Sequence, residues 1–114
     1  MNKLKTFITI AALLPALATA GDMNPNTFYL TTQYMSDNAV ACKYYLQLTN
    51  RIDSEPCEQL VRGLPFLSDA ANWALEGNNA QLVADDLTDD SLAKLKRYSD
   101  AYYESMFYIV EHLD

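Results

Sequence analysis

Two cysteines, one histidine, a run of aspartates and a set of clustered tyrosines are the residues of this chain with chemistry to offer. Cys42 and Cys57 are the only cysteines, separated by KYYLQLTNRIDSEP. A thiol–disulfide redox centre would want them two residues apart, as in C-x-x-C. A zinc site would want two further ligands, and the single histidine, His112, lies near the C-terminus. A disulfide asks for neither. Closing a loop of this length stabilises a small domain by about 3 kcal/mol, so the pair reads as a covalent staple between Cys42 and Cys57.

His112 follows Glu111, but a nucleophile and an orienting group would have to be brought to it before it could act as a base. Its position suits a cation at a helix C-terminus. Asp85, Asp86, Asp89 and Asp90 suggest calcium by composition. They lack the alternating oxygen ligands, the glycine and the distal Glu of an EF-hand loop. No Gly-rich phosphate loop, HExxH or GxSxG occurs. The chain is therefore expected to be neither an enzyme nor the holder of a metal or cofactor.

Two features remain. The segment from Glu76 to Asp90 carries five carboxylates (Glu76, Asp85, Asp86, Asp89 and Asp90) and no basic residue. It is either a solvated surface or an element that steers the chain into a basic protein cleft. Eight tyrosines occur, and Tyr98, Tyr102, Tyr103 and Tyr108 crowd together with Phe107 near the C-terminus. At helical spacing they cannot all face one core. Tyr103 and Phe107 form an i, i+4 pair offset from the Leu92–Leu95–Met106 stripe. They belong either to a wide core stripe or to a protein interface, where aromatics bury much area at little entropic cost.

The elements that must position these residues read as helical throughout. Strand-like alternation is absent, and only three glycines and four prolines interrupt the chain. Asn24-Pro25-Asn26-Thr27 starts a helix over about 27–35, and Ser36-Asp37-Asn38 breaks it or caps the next one, over about 38–49. Ser54 with Pro56 opens a third helix, which Gly63-Leu64-Pro65 breaks or kinks and Gly77 ends. The stretch from Asn78 to Leu87 is the least periodic. Thr88 caps a long last helix, with Asp89 and Asp90 at the positive end of its dipole. Trp73, Leu95, Tyr102 and Met106 are expected in the core. The fold class is all-α: a small bundle of four to five helices with one disulfide.

The first residues, MNKLKTFITIAALLPALATAGD, have the layout of a secretory signal peptide. Lys3 and Lys5 precede an apolar stretch too short to span a bilayer comfortably, and Ala18-Thr19-Ala20 is an A-x-A cleavage site. Residues 1–20 are thus expected to be removed on export to the periplasm or beyond, leaving one helical domain over 21–114. Loss of the two lysines takes the formal net charge from −7 to −9. Such a chain does not bind nucleic acid or anionic lipid by charge; it attracts a basic partner. An oxidising envelope also suits the staple.

Around the cysteines the sequence resembles a known family. Ser36-Asp37-Asn38-Ala39-Val40-Ala41-Cys42, Cys57-Glu58-Gln59-Leu60-Val61-Arg62-Gly63 and the following Asp69-Ala70 look like the Tai-type immunity proteins of type VI secretion. The resemblance covers about 35 residues and carries over Cys42, Cys57 and Gly63. It implies a periplasmic helical protein, often dimeric, that blocks a peptidoglycan amidase toxin by covering its Cys–His site with a loop. The expected function is that of a protein-binding inhibitor or immunity protein directed against a cell-wall toxin with a basic cleft. Glu76, Asp85, Asp86, Asp89, Asp90, Tyr103 and Phe107 are its candidate contacts. An acid-stress periplasmic chaperone and a phage lysis regulator of the antiholin kind are the alternatives.

Overall fold

The structure is a computed structural model that describes residues 23–113; the expected signal peptide lies outside the described residues. Four helices follow in order: α1 (Pro25–Thr49), α2 (Glu55–Leu75), α3 (Asn79–Asp86) and α4 (Asp89–Glu111). No strand occurs among the described residues. The expected all-α fold with one disulfide is what the chain adopts.

α1 is the central element. The Asn24 side chain accepts from Thr27 N (2.9 Å) and Pro25 occupies the first turn, where its missing N–H is harmless. The helix does not break at Ser36-Asp37-Asn38 but runs unbroken to Thr49. Interior Ser, Asp and Asn each weaken a helix by only a few tenths of a kcal/mol. Packing on two sides outweighs that: Ser36 and Asn38 are buried, and Asn38 Nδ2 donates to Tyr34 O at 2.9 Å. The buried hydroxyls of Thr31 and Thr32 likewise donate to the carbonyls four residues back, at 2.8 and 2.9 Å.

α2 folds back along α1 as an antiparallel partner. Ser54 caps it by accepting from Cys57 N (3.3 Å), and Pro56 sits in its first turn. It too is continuous through Gly63-Leu64-Pro65. The carbonyl that Pro65 leaves without a donor belongs to Val61, an exposed residue, and Pro65 is itself exposed, so the lost bond falls on the side of α2 open to solvent. Gly63 is instead a contact residue: a Cβ there would lie 2.3 Å from Met35 Sδ. Gly77, at φ +48, turns the chain out of α2 in the left-handed region open to glycine. The least periodic stretch forms the short helix α3, which presents Val83 to the interior.

α4 runs parallel to α1 on its other flank, with contacts advancing from Tyr29–Tyr98 (ring centroids 5.9 Å) to Lys43–Glu104 (3.8 Å). Met35, Ala39, Cys42 and Leu46 of α1, Cys57 and Leu60 of α2 and Ile109 of α4 form the core. Cys42 and Cys57 are bonded within it, their Cα atoms 4.7 Å apart. The expected core residues Trp73, Leu95, Tyr102 and Met106 are only half-buried. Tyr102 and Met106 lean on the core from outside, and Trp73 meets the Phe28 ring at 6.1 Å. The reason is architectural: α2 and α4 both pack on α1 and barely touch each other, so the side between them stays open.

Candidate functional site

The turn that brings the cysteines together joins α1 to α2. Asn50 takes the left-handed conformation (φ 56) and its N–H donates to Leu46 O at 2.8 Å. Tyr45 OH donates to Asp53 Oδ1 (2.8 Å), and the Arg51 guanidinium donates to the same carboxylate. These bonds hold the Asp53 carboxyl below its ordinary value of 3.8. The cysteines flank this turn at similar distances along the chain, so folding it brings them side by side.

The open side between α2 and α4 is a groove of about 630 Å³. Phe28, Thr32 and Met35 of α1 form its floor, Leu64, Leu67 and Ala71 part of one wall, and Leu92, Leu95 and Tyr103 part of the other. Burial among these groups pushes the Tyr102 hydroxyl pKa up. A shallower hollow lies between α1 and α4, lined by Asp37, Tyr44, Arg97 and Tyr98 among others. Partial burial there raises the Asp37 carboxyl above its usual range.

All the candidate contact residues are exposed. Glu76 ends α2; Asp85 and Asp86 close α3; Asp89 and Asp90 open α4. The five carboxylates thus collect around one end of the molecule. Asp85 accepts from Gln81 Nε2 at 2.8 Å, and Asp90 pairs with Lys94 at 3.0 Å. The Thr88 side chain caps α4 by accepting from Ser91 N (3.1 Å), as the sequence led us to expect. Tyr103 and Phe107 are 61% and 70% exposed, which places them outside the core stripe. They stand about 20 Å (Tyr103) and about 26 Å (Phe107) along α4 from Asp90, at about 1.5 Å per residue. The acidic end and the aromatic pair are therefore not one patch; the groove runs between them.

Sequence reasoning missed the groove, although one signal marks it. Val61, Leu64, Ser68, Ala71 and Leu75 alternate three and four residues apart along α2. Val61 and Leu75 are 66% and 85% exposed, so this stripe lies beside the core rather than in it.

His112 takes no part in the groove. Its ring stacks on Tyr108 at 4.0 Å, and its Nδ1–H donates to Tyr108 O at 2.8 Å, at the C-terminal end of α4. Among the described residues no group of three or more His, Cys, Asp or Glu could hold a metal ion. No helix among them is long and apolar enough to cross a membrane. No protein-family model, curated protein or solved structure matches this chain.

Proposed function

We propose that this chain is an exported, non-enzymatic protein that binds and neutralises a cell-wall-degrading toxin in the periplasm. The observation that carries the reading is the exposed aliphatic–aromatic strip of α4, Tyr103, Phe107 and Val110, each more than half exposed. Monomeric surfaces expose single large apolar residues freely, whereas contiguous strips mark binding sites. Glu76, Asp85, Asp86, Asp89 and Asp90 supply the long-range attraction and Tyr103 and Phe107 the buried anchors. The resemblance of the cysteine region to the Tai-type immunity proteins agrees with this division. The leader and the staple agree with an oxidising compartment.

Growth of cells that express a peptidoglycan amidase in the periplasm tests the proposal. The chain with its leader is expected to restore growth, the chain without residues 1–20 is not, and Tyr103→Ala should reduce protection. Lysis unaffected by the exported chain contradicts the reading. A second reading draws on the groove itself: protonation of the surrounding carboxylates would leave an apolar surface for acid-denatured clients. Retention of such clients in solution at low pH, with no binding of any envelope toxin, would favour that chaperone.

A further inference from the structure

Among the described residues α1 has helices on two flanks and none over the gap between them, which is the arrangement of a four-helix bundle with one place vacant. The walls of the gap carry the repeat that one helix offers another. On α2, Leu64, Ser68 and Ala71 continue to Val61 and Leu75. On α4, Leu92, Leu95, Ser99 and Tyr103 continue to Phe107 and Val110. Spacings of three and four residues suit a helical occupant lying along the groove. Ser68, Ala71 and Ser99 are small and sit at mid-groove on facing walls, where they leave room for a helix backbone. From Leu92 to Tyr103 the wall is about 16 Å long, or three helical turns.

The charge around the gap says what kind of helix. One step further round each wall helix the exposed charged residues are mostly acidic: Glu58 and Asp69 beside Arg62 on α2, with Glu76 at its end, and Asp89 and Glu111 on α4. Lys96 and Asp100 are the charged groove-lining residues. An apolar stripe flanked by Lys and Arg therefore matches both floor and rims. A second copy of this chain would bring the same acidic rims and a formal charge of −7 against its equal.

We propose that the α2–α4 groove is a docking site for a cationic amphipathic helix of another protein, which completes the bundle. This rests on the protein-binding reading above and moves its centre from the exposed strip of α4 to the groove beside it. Tyr103 then acts as a wall residue that closes on the guest helix, and Phe107 and Val110 extend the contact.

The test uses the purified exported chain and an 18-residue Leu/Lys peptide with leucines at i, i+3, i+4 and i+7. A peptide of the same composition with the leucines scrambled is the control. Calorimetric titration should show the patterned peptide binding at least about tenfold tighter than the scrambled one. Ala71→Arg, at an exposed position where folding is hardly touched, and Ser99→Arg, on the facing wall, should each weaken it by about tenfold or more. Asp85→Asn with Asp86→Asn should change it by less than about threefold. Equal binding of the two peptides, or binding indifferent to both arginines, overturns the proposal. So does a dimer in sedimentation that Ala71→Arg dissolves, and so does dodecanoate occupying the groove in preference to the peptide. If an amidase toxin is bound and only the Asp85/Asp86 variant loses it, the groove proposal falls while the protein-binding reading stands. If neither peptide nor toxin binds, both fall.

Discussion

Gly63 and Met35 meet where α2 crosses α1, and the contact leaves no room for one more carbon. Met35 is 1% exposed, so its thioether has little room to move away. Gly63→Ala should therefore destabilise the fold by about 1–3 kcal/mol in urea unfolding, despite the better helix propensity of alanine. In a Met35→Ala background the same change should be nearly neutral, because the cavity accepts the methyl group. Additive effects of the two changes would place the strain elsewhere. Asp53 offers a second test. Its folded pKa is depressed, first by the Tyr45 hydroxyl and then by Arg51. Its contribution is complete above the ordinary value of 3.8 and is lost as pH falls through the lower folded value. Asp53→Asn should lower the melting temperature at neutral pH and remove that part of the acid-side decline. Parallel pH profiles for the two proteins would contradict the assignment. Sequence made the capping residues Ser54 and Thr88 legible and narrowed the cap of α1 to Asn24 or Asn26, because a cap acts on amides two or three positions away. It did not make Gly63 legible, because the need for glycine comes from Met35 on another helix.

At the scale of elements, the staple and the helix ends followed from local rules, and the continuity of the long helices did not. Ser36-Asp37-Asn38 and Gly63-Leu64-Pro65 carry local signals for a break. Both lie inside helices flanked by neighbours, and tertiary packing overrides a penalty of a kcal/mol or so for the polar triplet. Pro65 is tolerated because it faces solvent, a fact the sequence around it does not contain. The half-burial of Trp73, Leu95, Tyr102 and Met106 was hidden for the same reason: periodicity shows a helix face but not whether another helix covers it. The disulfide joins α1 to α2 across a loop with a sequence separation of 15. Changing both cysteines to serine should remove about 3 kcal/mol of stability, seen as a lower urea midpoint with helicity retained in water. An unchanged midpoint would show that the Tyr45–Asp53–Arg51 turn alone fixes the hairpin.

Taken whole, the molecule is asymmetric: a sealed core around Cys42–Cys57, an acidic end formed by α2, α3 and α4, and an open apolar side. The exposed apolar groove and the carboxylates around it are the surfaces that the proposed basic partner would contact. The acidic end was visible in the sequence as a charge run, while the open side needed the third dimension. The most direct test of the central claim is the association rate with a periplasmic peptidoglycan amidase toxin, followed by stopped-flow fluorescence at low and high salt. Attraction between opposite charges is screened over about 8 Å at physiological ionic strength. We predict a rate that falls steeply with salt, a flattened dependence for the Asp85→Asn/Asp86→Asn variant, and faster dissociation for Tyr103→Ala. A rate independent of salt in the unaltered protein, or no complex at all, would contradict the account.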